Sequence, residues 1–138
     1  MASKVFELYR KSVMGNGGLG EVIEPVIHSM SAVDTGNGVI KVTAEIKNTG
    51  TVAGTCTVTS DGTYRVQGDD TFYVLNLNPS SQDLTLEPNE TKTIELTSRP
   101  MGSYLAQGTG SFFLYVSVDG VQVTYRYGTF SWSRTVYK

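Results

Sequence analysis

The strongest constraint on the fold is an Asp-Gly pair, Asp119-Gly120, between two segments in which apolar and polar residues alternate. Alternation with a period of two is the pattern of a β-strand with one buried face. An Asp-Gly pair is preferred in two-residue type I′ turns because both of its residues adopt positive φ. Residues 112–118 and 121–127 are therefore predicted to form an antiparallel hairpin.

A two-residue turn also predicts the register of the hairpin. Four cross-strand pairs then form one apolar face: Val118 with Val121, Val116 with Val123, Leu114 with Tyr125, and Phe112 with Tyr127. The opposite face carries the candidate interface residues Phe113, Tyr115 and Arg126, with Phe113 opposite Arg126 and close enough for a cation–π contact. Two interpretations of this second group stay open: a buried layer under another segment, or a contact surface for another subunit.

Other alternating or β-rich segments predict a series of short strands. They lie at residues 39–47, 55–59, 64–66, 72–77, 84–86, 93–97 and 130–136. Turn residues separate several of them, including Asp61-Gly62 and residues 87–90, and residues 101–110 are predicted to be a connection. Residues 21–33, with Pro25 inside an apolar run, are predicted to be extended or an edge strand. Seven or eight short strands at this spacing predict an all-β antiparallel sandwich, with a barrel as the alternative.

The 138 residues are enough for one domain with its own core. We divide the chain into an N-terminal arm at residues 1–37, with a glycine-rich hinge at residues 15–20, and a sandwich domain at residues 38–138. Within the arm, the apolar residues are spaced as one helical stripe: Val5, Leu8, Tyr9 and Val13. A helix of this length is marginal alone, so the arm is predicted to be short, helical or extended, and either to dock on another surface or to stay loose.

Three motifs, in this order, resemble the CARDB family, a cell-adhesion-related domain of bacteria and archaea. The first is a strand, an Asn48-Thr49-Gly50 turn and a Val-Ala-Gly step at residues 52–54; the second is the Leu-Glu-Pro-Asn-Glu-Thr turn at residues 86–91; the third is the hairpin around Asp119-Gly120. The resemblance implies an immunoglobulin-like sandwich that serves as a structural or binding module, with no catalytic residues. The stretch at residues 64–81 is longer than the family pattern, and a single jelly roll is the alternative fold.

Three patterns that carry chemistry elsewhere lack their context here. Gly15-x-Gly17-x-x-Gly20 has no preceding strand and no following helix, so it is interpreted as a hinge and not as a dinucleotide-binding loop. His28 has no nucleophile or partner ligand in a recognisable pattern. The acidic residues Asp61, Asp69 and Asp70 match no calcium loop. We therefore predict a protein that is not an enzyme and that has no cofactor or metal.

The one cysteine, Cys56, excludes an internal disulfide and is predicted to be a small buried residue in a strand. Charged residues make up 17% of the chain and the net charge is −2, so no large basic field attracts nucleic acid. Many hydroxyl residues alternate with the apolar ones. Hydroxyls are cheaper to desolvate than ions, which favours a surface that packs against neighbours.

These features lead to the hypothesis of a non-enzymatic assembly subunit, most concretely a viral capsid, cement or other virion protein. It would pack with copies of itself or other structural proteins through its sandwich faces and its arm. The basic arm allows weak contact with nucleic acid or a membrane, although three basic residues are too few to claim binding. The first residues lack the apolar core of a secretion signal, which predicts synthesis in the cytoplasm if Met1 is the natural start. The expected location is the virion if the protein is viral. The alternative is an adhesive, glycan-binding or protein-binding module of a secreted or cell-surface protein, which would act through loops at one end of the sandwich.

Overall fold

The computed structural model of the protein describes residues 22–102 and 105–135, which form nine strands in two antiparallel sheets. The strands are β1 (Pro25–Asp34), β2 (Ile40–Asn48), β3 (Gly54–Val66), β4 (Tyr73–Val74), β5 (Leu77–Asn78), β6 (Ser81–Leu86), β7 (Thr91–Ser98), β8 (Leu105–Val118) and β9 (Val121–Thr135). The first sheet has the order β1-β2-β7-β5 and the second β4-β3-β8-β9, with β6 also paired to β3. Within the described ranges, no helix has the length and hydrophobicity needed to cross a membrane.

One hydrophobic core lies between the two sheets. The alternation in β2 places Ile40, Val42, Ala44 and Ile46 in that core, all fully buried. From the other sheet, the apolar residues of β8 face them: Phe112, Leu114, Val116 and Val118. Both strands therefore behave as their period-two patterns predict, with one buried face each.

The connections between the sheets are those of an immunoglobulin-like sandwich. The chain leaves the first sheet after β2 to form β3, and leaves it again after β7 to form β8. One sheet thus combines β1, β2 and β7, and the other combines β3, β8 and β9, which is the immunoglobulin-like arrangement and not the jelly roll. The predicted fold class is confirmed.

The edge strand predicted within residues 21–33 is present as β1. It pairs with β2 from Pro25 opposite Asn48 to Asp34 opposite Ile40, with a β-bulge at His28. The first sheet therefore begins at Pro25, upstream of the domain boundary predicted at residue 38. The predicted hinge at residues 15–20 lies outside the described residues.

Several predicted chain breaks are wrong. Asp61-Gly62 does not turn the chain, because β3 continues through it and pairs with β8 from Thr57 to Val66. A Cβ on Gly62 would lie 2.5 Å from the carbonyl oxygen of Ser111, so this glycine allows two strands to approach closely. Residues 105–110, predicted as a connection, belong to β8, and the separate strand predicted around Phe130 is the second half of β9. The strand predicted at residues 72–77 is instead divided into the short strands β4 and β5.

The hairpin turn is confirmed, but its register is not. Asp119 and Gly120 have φ of 53° and 81°, as a type I′ turn requires. Val118 pairs with Val121, and then a β-bulge shifts the register by one residue, so that Val116 pairs with Thr124. The three other predicted core pairs, which joined Val116 to Val123, Leu114 to Tyr125 and Phe112 to Tyr127, are therefore wrong.

The bulge is explained by the pairs that follow it. Three consecutive inward pairs each join a glycine to a large aromatic residue: Phe112 with Gly128, Gly110 with Phe130, and Gly108 with Trp132. A Cβ on Gly110 would lie 2.3 Å from the Phe130 ring, and one on Gly128 would lie 2.6 Å from the Phe112 ring. The rings fill the space that the glycines leave, and without the bulge Phe130 and Trp132 would point outward.

The fully buried side chain of Asn48 joins three segments at one end of the sandwich. Its Oδ1 accepts hydrogen bonds from the backbone N–H groups of Glu24 (3.1 Å) and Gly50 (2.9 Å). Its Nδ2 donates to the carbonyl oxygen of Val52 at 2.8 Å, and to those of Leu86 and Glu87, each at 3.3 Å. The Asn-Thr-Gly motif is thus more than a turn, because its first residue satisfies backbone groups from distant parts of the chain.

Candidate interaction surface

The outer face of the second sheet carries an aromatic cluster, by which we mean Phe113, Tyr115, Tyr125 and Tyr127. The ring centroid of Phe113 lies 5.7 Å from that of Tyr115, 5.9 Å from that of Tyr125 and 5.0 Å from that of Tyr127. Tyr125 and Tyr127 are 55% and 53% exposed, and they lie on the edge strand β9. Within the described residues, the cluster is therefore an open surface and not a second buried layer.

Arg126 does not belong to this cluster. It pairs with Leu114, so it lies on the inner side of β9, and it stays exposed because β9 is the edge of the sheet. The predicted pairing and cation–π contact with Phe113 are wrong, since Tyr127 is opposite Phe113. A charged residue turned inward on an edge strand, together with a nearby bulge, hinders edge-to-edge pairing with another chain.

Tyr115 is fixed in the cluster by a contact with the neighbouring strand. Its hydroxyl donates to the Oδ1 of Asp61 on β3 at 3.2 Å. Desolvation of the phenol, followed by the negative charge of Asp61 and this hydrogen bond, raises the pKa of Tyr115 above its ordinary value. Tyr115 therefore stays a neutral hydrogen-bond donor, and the position of its ring supports Phe113.

A groove extends along the same face from the aromatic cluster. Its first part, of about 580 Å³, has a floor of hydroxyl residues: Thr63, Thr109, Ser111, Thr129 and Ser131. Phe72 and Tyr127 line this part as well. Arg65, Thr109 and Ser131 also line a second part of about 690 Å³, which continues past Gln67 and Gln107 to Trp132. We treat the two parts as one groove.

Residues 67–76 form the side of the groove at the β4 edge, and polar contacts hold this loop in place. The Arg65 guanidinium is 3.3 Å from the Asp70 carboxylate, and its Cζ lies 5.0 Å from the centroid of the Phe72 ring. The Tyr73 hydroxyl donates to Asp69 at 2.7 Å. Phe72 is 65% exposed and lies outside the core, and its ring is positioned at the surface by Arg65.

The charges in this loop are set by its hydrogen bonds. The backbone N–H of Thr71 donates to Asp69 at 2.9 Å. This bond first, and then the bond from Tyr73, hold the pKa of Asp69 below its ordinary value. The same contact with Asp69 raises the pKa of Tyr73. At neutral pH Asp69 is therefore charged and Tyr73 neutral, as their hydrogen bond requires.

The other residues with potential chemistry lie apart from this surface or have no partners for catalysis. His28 is exposed in the β1 bulge. Cys56 is 1% exposed, as predicted, and burial raises the pKa of its thiol to about 11. Across the residues that the structure describes, no group of three or more His, Cys, Asp or Glu side chains is placed to hold a metal ion.

Sequence reasoning missed the groove, including Phe72, and it placed Tyr125 and Tyr127 of the cluster on the core face. A signal for the two tyrosines is present in β9, where buried residues change from odd positions (Val123) to even positions (Phe130). One strand can satisfy both only with a bulge between them. The candidate residues of the arm, Val5, Leu8, Tyr9 and Val13, lie outside the described residues.

No protein-family model and no curated protein matches the chain, so the resemblance to the CARDB family stays a prediction. Among solved structures the chain is similar to a β-glucosidase from Erythrobacter marinus, with a TM-score of 0.53, 13% identity, and coverage of 80% of this chain and 15% of that chain. It is also similar to a β-glucosidase from Listeria innocua, with a TM-score of 0.51, 12% identity, and coverage of 84% and 16%. For the PapD-like domain 7 of human CEP192, the TM-score is 0.49, the identity 15%, and the coverage 84% and 87%.

The chain thus spans less than a fifth of either β-glucosidase. At these identities the similarity concerns the fold, and it says nothing of a shared activity. The strand order identifies the chain as an immunoglobulin-like β-sandwich, and its second sheet exposes an aromatic cluster and a hydroxyl-lined groove.

Proposed function

We propose that this chain is a non-enzymatic structural subunit that packs against other copies of itself, or against other structural proteins, through the aromatic cluster. The observation that carries the proposal is the exposure of Tyr125 and Tyr127, both more than half exposed around Phe113. Tyrosine is enriched at protein interfaces because its large ring is apolar and its hydroxyl can still form a hydrogen bond. Neither ring is needed for the core of this sandwich.

The rest of the outer face supports packing by the face of the sheet and not by its edge. Around the cluster, Thr57 and Thr59 of β3 and Ser117 of β8 present short hydroxyl side chains. Desolvating a hydroxyl costs less than desolvating an ion, so a flat partner surface can cover them. The inward Arg126 and the bulge in β9 disfavour strand addition at the edge, which leaves the face as the available contact.

The most concrete form of this proposal is a capsid, cement or other virion protein. The immunoglobulin-like fold suits a binding or structural domain, and the CARDB-like motifs point to the same class of module. In this proposal the arm adds a second contact through Val5, Leu8, Tyr9 and Val13, which dock on a neighbouring copy.

Sedimentation velocity over a range of concentrations tests the packing proposal. Exchanging Tyr125 and Tyr127 for threonine keeps a residue of high strand propensity at both positions and removes the rings. We expect the double variant to self-associate at least about tenfold more weakly, since truncation of an aromatic interface residue commonly costs more than 1 kcal/mol. Val33→Thr is the matched control, because Val33 is 53% exposed on β1 in the other sheet. A wild-type chain that stays monomeric throughout, or equal weakening by the control, contradicts the proposal.

Electron microscopy of the full chain and of a chain without residues 1–20 tests the finer virion proposal. We expect regular particles or lattices from the full chain, and only small oligomers held by the aromatic cluster from the shortened chain. Assembly that is unchanged by the deletion argues against a role of the arm. A full chain that forms no ordered assembly under any condition argues against the virion proposal.

A further inference from the structure

We propose that the groove beside the aromatic cluster binds a neutral linear glycan. This inference goes beyond the packing function and does not depend on it. Tyr127 is the one residue that the aromatic cluster and the groove share. The floor residues of the groove are not part of the aromatic cluster, and the groove continues past them along β8 and β9 towards Trp132.

The dimensions of the groove fit a chain-like ligand. Its first part extends from Phe72, next to β4, to Tyr127 on β9, which is three strand spacings or roughly 14 Å across the sheet. Its length along β9, from Tyr127 to Ser133, corresponds to roughly 20 Å of extended strand. A surface channel of this length accommodates several linked sugar units, whereas a small compact ligand would be left largely uncovered.

The floor offers the hydrogen-bonding groups that a polyhydroxylated ligand needs. A serine or threonine hydroxyl both donates and accepts, and so does a side-chain amide. Five hydroxyl residues line the first part. Gln67 and Gln107 line the second, and Gln107 Nε2 donates to Gln67 Oε1. Sugar hydroxyls also donate and accept, so each can be satisfied in more than one orientation along the floor.

The sides of the groove offer flat apolar surfaces. Phe72 and Tyr127 both line the first part, and both are more than half exposed. The C–H face of a sugar ring is apolar and packs on an aromatic ring by dispersion contacts. A floor of hydroxyls with aromatic rings at both sides therefore matches the two kinds of surface on a glycan, the polar edge and the apolar face.

The charges indicate a neutral ligand. Among the described residues that line the groove, only Asp34 and Arg65 carry charge. Arg65 is paired with Asp70 at 3.3 Å, and Asp34 accepts a hydrogen bond from the backbone N–H of Ser133 at 2.6 Å. A nucleic acid or an acidic polysaccharide requires several unpaired cations along its path, and this groove does not supply them.

One side of the groove is formed by contacts within the chain itself. The contacts of Arg65 with Asp70 and Phe72, and that of Tyr73 with Asp69, fix residues 67–76 as one side of the groove. An ordered site loses less conformational entropy on binding than a loose one. In this proposal the contacts of the loop position the exposed Phe72 ring for the ligand.

The test uses the full chain and three soluble probes, cellohexaose, maltohexaose and xylohexaose. Binding is followed by the fluorescence of Trp132, the single tryptophan, and by amide chemical shifts in NMR spectra. Protein concentrations are kept where sedimentation shows only monomer. We expect at least one probe to bind saturably, with shift changes concentrated on residues 107–111 and 127–133.

Tyr127→Thr and Tyr125→Thr form a matched pair of variants. The two tyrosines have almost the same exposure, on the same strand and the same face, but only Tyr127 lines the groove. We expect Tyr127→Thr, and likewise Phe72→Ser, to raise the glycan Kd about tenfold, and Tyr125→Thr to change it less than about twofold. In the packing assay, by contrast, both tyrosine variants should weaken self-association.

The glycan proposal is overturned if no probe binds up to about 10 mM, a limit beyond which the interaction is too weak to be specific. Equal effects of Tyr125→Thr and Tyr127→Thr on glycan binding also overturn it. If Phe72→Ser abolishes self-association and no probe binds, the groove is an interface between copies of the chain. A failure of glycan binding leaves the sedimentation result of the packing proposal unaffected, so the two failures are distinguishable.

Discussion

Asn48→Ala is the substitution whose effect follows most directly from the structure. The side chain of Asn48 is fully buried and has five hydrogen-bond contacts with backbone groups. Alanine removes all of them at once. The N–H groups of Glu24 and Gly50 lose the acceptor Oδ1, and the carbonyl oxygen of Val52 loses its closest donor.

The expected loss of stability is about 3 kcal/mol. Leaving one buried donor or acceptor unsatisfied costs about 1–3 kcal/mol, and the bonds at Glu24 and Val52 are only partly buried, so water recovers some of that cost. For a domain of this size, 3 kcal/mol corresponds to a fall of about 10 °C in Tm. At a urea m-value of about 1.5 kcal/mol/M, the unfolding midpoint should fall by about 2 M.

Urea unfolding followed by circular dichroism measures this loss. Asn76→Ala is the control, since Asn76 is exposed, and we expect it to change stability by less than about 0.5 kcal/mol. A loss below about 1 kcal/mol for Asn48→Ala, with an unchanged m-value, would refute the role of Asn48 as the residue that joins these segments.

Asn48→Asp tests the same geometry through its pH dependence. The new carboxyl group would be fully buried and would face the carbonyl oxygens of Val52, Leu86 and Glu87. Burial and these oxygens disfavour its charged form more than the N–H groups of Glu24 and Gly50 favour it. Its pKa in the folded protein should therefore be above the unfolded value of about 3.9. The folded state then binds more protons, so stability should be highest below pH 4 and should decrease as the pH rises through the folded pKa. Stability that rises from pH 4 to pH 7 relative to the wild type contradicts this geometry.

Three further predictions follow from other parts of the sandwich. The Cys56 thiol, with a pKa of about 11, should not react with a thiol reagent at pH 8 in the folded protein and should react fully in urea. Because this pKa is raised, the contribution of Cys56 to stability is complete at neutral pH and is lost as the pH rises towards 11. Gly110→Ala should lower the free energy of unfolding by about 1–3 kcal/mol, measured by thermal unfolding, because the new Cβ meets the Phe130 ring. Adding Phe130→Leu should recover part of this loss, whereas additive effects of the two substitutions would argue against the contact. Arg65→Ala removes contacts between exposed groups, so it should change global stability by less than about 1 kcal/mol and should speed amide hydrogen exchange in residues 67–76; unchanged exchange would show that Arg65 does not hold the loop.

The candidate surface could be predicted in part. The outward direction of Phe113 and Tyr115 follows from the alternation in β8, which contains no insertion before the turn. The direction of Tyr125 and Tyr127 does not, because the bulge at Val123 reverses the phase of every residue after it. The groove was not predictable from alternation at all, since its side is formed by residues 67–76, where the sequence has no period-two pattern.

The local features of this protein follow from short segments of its sequence. The alternation in residues 40–47 and the Asp119-Gly120 turn depend on neighbouring residues alone, because pleating and positive φ are local properties. They are sufficient to predict a sandwich and the position of its C-terminal hairpin.

The register of β9 and the residues on its outer face depend instead on packing between strands. Phe130 and Trp132 can fill the space over Gly110 and Gly108 only if the chain gains one residue at Val123. The position of this extra residue depends on the volumes of side chains that meet across two strands and on the core beneath them. Neither can be deduced from one segment of the sequence. The same packing turns Tyr125 and Tyr127 outward, which is why the surface proposed to bind partners became apparent only in the folded chain.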